Sequence, residues 1–421
     1  MTPEQATSYL NSLLKAMLAK KASDLFISND FPPSMKIDGK MTAVTQQRLN
    51  PVQTRALALA AMNEKQRAEF EVEKECNFAI NPEGIGRFRV NVYLQQGCVG
   101  MVLRTITTQI PKFDDLRLPP VLKDVALTKR GLVILVGGTG SGKSTTLAAL
   151  IDHRNENSFG HIITIEDPVE YVHKNKNCLI THREVGTDTN NWFAALKNTL
   201  RQAPDVILIG EIRDRDTMEY AVAFAETGHL CMATLHANSA NQALDRIINF
   251  FPEERRAQLL MDLSLNLKAV VSQRLVPRAD GKGRRAAIEI LLNTPMVADL
   301  IFKGEVHGLK ESMAKSKEAG MQTFDQALFN LYEAGEISYE DAMRNADSVS
   351  EFKLNVKLNS RRRAGEEGRP KMELSIQGDA EDEEADKPAD NPSAAPAAAA
   401  RAAPPASGAQ TKTTTAGRQT G

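Results

Sequence analysis

The chain has 421 residues, 42% of them hydrophobic and 25% charged, so it is long enough to form two domains with separate hydrophobic cores. Lysine and arginine total 52 against 53 aspartates and glutamates, and this balance excludes a protein drawn to nucleic acid or to anionic lipid by its net charge. The apolar run at 132–136 is far shorter than the ~20 residues that a membrane-spanning helix needs, so we expect no direct membrane insertion.

Two further features bear on the compartment. Residues 1–10 lack a cationic start followed by an apolar stretch, so we expect no secretory signal. The cysteines lie far apart without paired spacing, which argues against a zinc site and against a disulfide framework. They are Cys76, Cys98, Cys178 and Cys231. We therefore expect reduced thiols in a cytoplasmic protein.

The first hundred residues show the pattern of a small α+β domain. Apolar residues between Leu10 and Leu18 recur at helical spacing and predict an amphipathic helix. The turn residues Asp38 and Gly39 close the second of two short extended stretches, as a hairpin turn would. In chain order the further predictions are strands at 24–28 and 34–37, a helix at 51–70 and paired antiparallel strands at 87–94 and 99–104. We expect residues 1–105 to form this domain.

A second domain follows a proline-rich linker. Pro111, Pro119 and Pro120 interrupt both helix and sheet, which places a linker at 106–119. Beyond it, short apolar runs alternate with helical segments, and this alternation predicts a mostly parallel sheet covered on both faces. The predicted strands are 132–136, 162–165, 206–209 and 230–235. We expect this α/β domain to span residues 120–360.

The last segment, 361–421, has a different composition. It contains an arginine triplet, an acidic block and a run rich in alanine, proline and threonine. Such a segment buries too little apolar surface to offset its ordering entropy, so we expect a disordered tail. A solvated spacer and a docking segment for a partner are both compatible with this composition.

The strongest chemical signal is a phosphate loop between the predicted strand 132–136 and a helix that begins near Thr145. Glycines allow the backbone N–H groups to turn towards phosphates at a helix N-terminus, where the helix dipole also favours negative charge. The pattern predicts that Lys143 reaches the β- and γ-phosphates of ATP and that Ser144 binds Mg²⁺. The nucleotide-binding residues are Gly137, Gly138, Thr139, Gly140, Ser141, Gly142, Lys143, Ser144 and Thr145.

Hydrolysis requires a group that orients water and another on the metal side, and two acids follow predicted strands. Glu166 follows 162–165, and Glu211 follows 206–209 after a single glycine. In a parallel sheet both would emerge at the carboxyl edge beside the phosphate loop. We assign Glu166 as the base that positions the attacking water and Glu211 as the acid on the magnesium side. Ordinary charged residues at strand ends are the alternative interpretation.

Two histidines flank the last predicted strand. His229 precedes 230–235 and His236 follows it. One is expected to face the γ-phosphate, and the other to brace a neighbouring loop. A purely structural role is the alternative for either histidine.

Four motifs together resemble the secretion and pilus motor ATPase superfamily, in particular the type IV pilus retraction ATPases of the PilT/PilU family. The resemblance covers about residues 3–358 and leaves the tail uncovered. The motifs are the phosphate loop, the acidic box Ile165 to Tyr171, the segment Leu200 to Asp214, and the histidine box Thr227 to His236.

The resemblance implies a PAS-like first domain, a RecA-like P-loop NTPase core and a ring of six chains with ATP at the junctions. It matches the catalytic glutamate to Glu166, the Walker B acid to Glu211 and the phosphate-sensing histidine to His229. It also implies arginines from the first domain at the phosphates, for which Arg89 and Arg104 are the choices. An arginine fork neutralises charge that develops on the transferring phosphoryl group.

Departures from the main retraction motor favour the PilU type, an accessory motor that works alongside PilT. Gly138 stands where the family often has proline, Ala203 where aspartate is common, and His182 where glutamine is usual. The resemblance also implies a PilT-like partner and recruitment to the inner-membrane face through a platform protein of the pilus machine.

Two other functions remain open from the sequence. A regulatory or scaffold partner would bind ATP with little turnover, although Lys143, Glu166 and Glu211 are all intact. A RecA-like motor acting on nucleic acid would need a basic, aromatic-rich groove, for which the sequence gives no signal. We therefore expect a cytoplasmic ATPase without a nucleic-acid partner.

Overall fold

The computed structural model describes residues 1–37, 39–106 and 109–362. Its strands form two separate sheets. The elements that precede residue 107 are α1 (Pro3–Ala19), β1 (Asp24–Ile27), β2 (Ser34–Ile37), β3 (Lys40–Ala43), α2 (Pro51–Ala61), α3 (Glu64–Glu73), β4 (Glu75–Ile80), β5 (Arg87–Gln95) and β6 (Cys98–Ile106).

The first sheet has six strands in the order β3-β2-β1-β6-β5-β4, and each neighbouring pair is antiparallel. Inward-facing residues alternate along β5, where Phe88 and Val90 are fully buried. α1 contributes Leu14 and Met17 to the same core, as its helical periodicity requires. The α+β architecture predicted for this part is confirmed.

The remaining elements surround the second sheet. They are α4 (Val121–Leu127), β7 (Gly131–Val136), α5 (Lys143–Asn157), β8 (Gly160–Glu166), β9 (Cys178–Glu184), α6 (Trp192–Thr199), β10 (Val206–Ile209), α7 (Arg215–Glu226), β11 (Leu230–Leu235), α8 (Ala240–Asn249), α9 (Glu253–Asn266), β12 (Leu267–Pro277), β13 (Arg284–Leu292), α10 (Pro295–Lys303), α11 (Leu309–Lys315), α12 (Phe324–Glu333), α13 (Tyr339–Asn345) and α14 (Val349–Asn359).

This sheet has seven strands in the order β13-β12-β7-β11-β10-β8-β9, all parallel except β13. The central strand β7 is buried on both faces. Leu132 and Ile134 join a core with α6 to α11, and Val133 and Leu135 join a core with α4 and α5. Burial on both faces explains why its strands are continuous apolar runs rather than alternating ones. The mostly parallel sheet predicted from those runs is confirmed.

Two sequence expectations need correction. The helix expected at 51–70 is two helices, because Asn63 caps a new helix through a capping box with Gln66 and the chain changes direction at Met62. Strands β3, β4, β9, β12 and β13 were not predicted. β3 is exposed and β4 and β9 are only partly buried, so their periodic signal is weak. β12 and β13 are mostly buried, but polar residues such as Gln273 and Glu289 interrupt their apolar runs.

The domain boundaries at 105, 120 and 360 stay a prediction, because residues 1–364 group as one compact unit. Of the tail predicted at 361–421, all but the first two residues lie outside the described ranges, as does Asp38 of the predicted hairpin turn. Within the described ranges, the helices are too short or too polar to cross a membrane.

Candidate nucleotide-binding site

The site lies at the carboxyl edge of the parallel strands. β7, β11, β10 and β8 are neighbours in the sheet, and all four run in the same direction. Their last residues therefore lie side by side, as do the segments that follow them. These segments supply the phosphate loop, His236, Glu211 and Asp167.

The phosphate loop has the backbone that the sequence predicts. Gly137 and Gly142 have φ of 154° and 88°, and Gly142 caps helix α5, which begins at Lys143. A Cβ on Gly137 would lie 2.4 Å from Ser141 Oγ, so a side chain there would collapse the turn. The loop thus delivers backbone N–H groups to the positive end of the helix dipole, where phosphates bind.

Lys143 is nearly buried under this loop. Its ammonium donates to the carbonyl oxygens of Gly137 at 2.8 Å and Gly138 at 3.0 Å. An ammonium has three N–H donors, so one stays available to a phosphate oxygen. Burial lowers the pKa of Lys143, while Glu211 and Glu170 act in the opposite direction.

Glu166 ends β8 with its carboxyl at the same edge. Burial raises its pKa to about 7, although a hydrogen bond from Thr164 and the backbone N–H of Glu170 favour the ionised form. That N–H lies 3.4 Å from Glu166 Oε2. Gly210 passes so close that a Cβ there would lie 3.1 Å from Glu166 Cα. A carboxyl with a pKa near neutrality is suited to accept a proton from water.

Glu211 follows β10 and is held from two sides. Its Oε2 accepts a hydrogen bond from Arg213 Nε at 2.7 Å, and its Oε1 lies 3.0 Å from His236 Nε2. The bond to Glu211 raises the pKa of Arg213. Thr234, near the end of β11, donates to the carbonyl oxygen of Gly210 and so holds the backbone directly before Glu211.

The first sheet reaches the site through its arginines. Arg89, on β5, lines the pocket together with Lys143 and Glu166. Arg104 lies in the adjacent depression with Arg89, and its Nε donates to Asp24 at 2.9 Å. Arg87 makes a buried ion pair with Glu184 at the end of β9. Of the two predicted arginines, the structure therefore brings only Arg89 into the pocket itself.

Within one chain the structure does not bring His229 to this pocket, and its role as the phosphate-sensing histidine stays a prediction. His229 precedes β11 and lies at the opposite, amino edge, where its Nδ1 is 3.0 Å from Thr227 Oγ1 and 3.3 Å from the carbonyl oxygen of Phe224. His236, six strand residues further on, contacts Glu211 instead. The reason is the length of β11, which separates the two histidines by the full height of the sheet.

The pocket has a volume of about 250 Å³, and half of the predicted site residues line it: Arg89, Thr139, Gly140, Lys143, Ser144, Glu166 and Glu211. Its lining also contains His236, one of the two histidines that the sequence offered, and Asp167 and Glu170 of the acidic box. The sequence analysis did not assign the remaining lining residues to the site, which are Pro168, Trp192, Gly210, Arg213 and Thr234. Arg213 stands two residues after Glu211, and this short spacing is the sequence feature from which its place in the site could have been predicted.

Comparisons with known proteins agree with this geometry. The family described as "Type II/IV secretion system protein" matches residues 3–371. Among curated proteins, the chain is 63% identical to the type IV pilus ATPase PilU of Pseudomonas aeruginosa over 348 residues, which cover 83% of this chain and 91% of the relative. It is 41% identical to the type IV pilus retraction ATPase PilT of the same organism, over 82% of this chain and 99% of the relative.

Among solved structures, the fold is similar to the crystal structure of the pilus retraction motor PilT with bound ADP. The TM-score is 0.77 at 39% identity, and the match covers 82% of this chain and 98% of the other. The X-ray structure of the ATPase DotB from Legionella pneumophila has a TM-score of 0.71 at 26% identity, covering 85% of this chain and 96% of the other.

Proposed function

The chain belongs to the family of type II/IV secretion system proteins, and from this premise we propose that it is an ATP-hydrolysing motor for type IV pilus retraction, acting as a PilU-type accessory to a PilT-like motor. The similarity to PilU along most of both chains supports this proposal. The fold has an α/β RecA-like core and is similar to that of the retraction motor PilT. We assign the first sheet and its helices to a PAS-like domain.

One observation carries the proposal: Lys143, Glu166 and Glu211 line a single pocket with Arg89 of the first sheet. Phosphate binding, water activation and charge neutralisation therefore have separate groups within one cavity. Arg89 belongs to the first sheet, so a movement of the two sheets relative to one another would change its position in the pocket. Such a contact gives hydrolysis a way to couple to mechanical work.

In this assignment the phosphate loop, from Gly137 to Thr145, holds ATP, and Lys143 neutralises the β- and γ-phosphates. Glu166 orients the attacking water. Ser144 and Glu211 present a hydroxyl and a carboxylate to the same pocket, an oxygen donor set that suits Mg²⁺ when phosphates complete its shell. When bound, Mg²⁺ would neutralise charge on the phosphates.

The assembly and the partners are part of the proposal. We assign a homo-hexameric ring, a PilT-like retraction ATPase as the working partner and a platform protein at the inner-membrane face of the pilus machine. The names of the similar proteins support the pilus context. A scaffold with little turnover is disfavoured, since a scaffold has no need for Glu166 at the pocket edge.

The test is ATP turnover by the purified full chain, alone and with a PilT-like partner. Glu166→Gln keeps the size of the side chain and removes the base, so we expect kcat to fall by about 100-fold or more with nucleotide affinity retained. Lys143→Ala should lose nucleotide binding itself. Turnover of Glu166→Gln at the wild-type rate would refute the assignment of the base, and a wild type without turnover in either condition would favour the scaffold.

A further inference from the structure

Strand β12 borders the phosphate loop on the side that faces away from the two acids. Ser272 is the register partner of Val136, the last residue of β7, so Gln273 lies level with Gly137, where the loop begins. The backbone of Gln273 packs against that glycine, because a Cβ on Gly137 would lie 2.6 Å from the carbonyl oxygen of Gln273. β12 therefore contacts the loop at the point where it leaves the sheet.

The side chain of Gln273 bonds both to the loop and to the helix that follows it. Its Nε2 donates to the carbonyl oxygen of Ser141 at 2.8 Å, and its Oε1 accepts from Thr146 Oγ1 at 2.7 Å. A backbone carbonyl can only accept a hydrogen bond, so the amide nitrogen must face Ser141 and the amide oxygen must face α5. Gln273 and Thr146 are both almost fully buried, so water does not compete for either bond.

The bond to Ser141 fixes the direction of one peptide in the loop. The Ser141–Gly142 peptide is trans, so its C=O and N–H groups point in opposite directions. With the carbonyl oxygen bonded to Gln273, the N–H of Gly142 points away from β12. Lys143 begins α5 directly after this peptide and lines the pocket. The bond therefore sets how the first turn of α5 is presented to phosphates.

The composition of the loop makes such a bond important. Four of the six residues at 137–142 are glycines, and glycine loses more conformational freedom on ordering than any other residue. A loop of this composition without a fixed peptide samples many backbone conformations. When only a fraction of the population is competent to bind, the apparent affinity falls by that fraction. A loop that is fixed in advance therefore binds nucleotide more tightly.

We propose that Gln273 is a positioning residue for the nucleotide: its side-chain amide holds the Ser141–Gly142 peptide in the phosphate-binding direction before nucleotide arrives. This inference rests on the nucleotide-binding part of the proposed function. Gln273 does not line the pocket itself and acts through the loop. Gln273→Met keeps the length of the side chain and removes both of its hydrogen bonds, which makes it the direct test.

The neighbouring strand offers a matched control. Gln322 Nε2 donates to the carbonyl oxygen of Ile288 at 2.8 Å, a bond of the same type and length. Ile288 is the register partner of Gln273 on β13, but Gln322 approaches β13 at the edge opposite β12. Gln322→Met therefore removes an equivalent amide–carbonyl bond without touching the phosphate loop. We expect its Kd for ADP to stay within about 2-fold of the wild-type value.

The experiment measures binding of ADP with magnesium to the purified full chain, so it requires no turnover. Gln273→Met should raise the Kd for ADP about 10-fold, the order expected for one lost buried hydrogen bond. Thermal unfolding without nucleotide measures the structural cost of each substitution separately, and affinities are compared at a temperature where both variants are folded. An unchanged Kd for Gln273→Met, or equal losses in the two methionine variants, would overturn the inference.

The binding rates distinguish a loop that is fixed in advance from a bond made only in the complex. With a fluorescent ADP analogue in stopped flow, Gln273→Met should slow association by about the factor that raises the Kd, with dissociation within about 2-fold. In steady-state turnover, KM for ATP should rise while kcat stays within about 3-fold. A loss that comes only from faster dissociation would show that the bond acts after binding, and it would refute the proposal.

Thr146 gives a second route to the same amide, should Gln273→Met fold poorly. Thr146→Val keeps the shape of the side chain and removes the donor to Gln273 Oε1, so the Kd for ADP should rise about 3-fold. Thr146→Ser keeps the hydroxyl and should restore wild-type affinity. The double variant Gln273→Met/Thr146→Val should bind no more weakly than Gln273→Met, because both substitutions act through one amide. Additive losses would contradict this shared route.

The two proposals fail separately. A wild-type chain that binds no ADP refutes the nucleotide site and the role of Gln273 together. A wild type that binds and hydrolyses nucleotide, with Gln273→Met unaffected, refutes only the positioning role. A wild type that binds ADP and shows the expected losses in Gln273→Met, but has no turnover, supports the positioning role and refutes the motor.

Discussion

The two edges of the parallel sheet carry similar residue types, but these residues have different surroundings at the two edges. At the amino edge, Asp205 accepts a hydrogen bond from the backbone of His161 at 2.8 Å, and His229 bonds to Thr227 and Phe224 near the end of α7. At the carboxyl edge, the acids and His236 face a cavity of about 250 Å³. Within one chain, Asp205 and His229 therefore bond to neighbouring protein groups at one edge, while the acids and His236 face a pocket at the other. The surroundings of a residue depend on whether it precedes or follows its strand.

We expect the largest difference between the two edges when each of the two histidines is replaced by alanine. His236→Ala removes the contact with Glu211 and should lower kcat by about 100-fold, a loss typical of a group that orients or stabilises the reacting charge. His229→Ala should cost about 1 kcal/mol of unfolding free energy through its lost hydrogen bonds, with little change in kcat.

Turnover and thermal unfolding of both variants check this contrast. The reverse pattern would show that His229 acts on nucleotide, for example across a subunit junction, as the family resemblance implies.

The pH dependence gives the next effect. Burial raises the pKa of Glu166 to about 7, and only the ionised carboxylate can accept a proton. As pH falls below 7, kcat/KM should therefore drop by about ten-fold per pH unit, and above 7 it should level off. The measurement needs excess magnesium so that the substrate stays ionised. A flat profile down to pH 5.5 would place the essential base elsewhere.

The smallest effect concerns the spacing between neighbouring strand ends. A Cβ at Gly210 would lie 3.1 Å from Glu166 Cα, so Gly210→Ala should displace Glu166 by a few tenths of an ångström and lower kcat by about 3- to 10-fold. Gly308→Ala is the matched control, with its Cβ 3.1 Å from Leu300 Cδ2 and remote from the pocket. Equal activity of the two variants would mean that the position of Glu166 tolerates this shift.

Much of this protein followed from local patterns. The apolar runs predicted β7, β8, β10 and β11, because a strand buried on both faces must be apolar throughout. The glycines and Lys143 predicted the phosphate loop, and the acids after β8 and β10 predicted a shared edge. In the first sheet β3 and β4 were not predicted, because β3 has no buried residue and β4 is only partly buried.

The sequence by itself determined the nucleotide loop, the α/β class and the family, since these depend on residue types at fixed short spacings. Only the tertiary structure brought His236 next to Glu211, placed Arg89 in the pocket and placed Arg104 beside it. Each of these depends on strand order and register, which bring together residues separated along the chain. Local periodicity contains no information about which strands become neighbours.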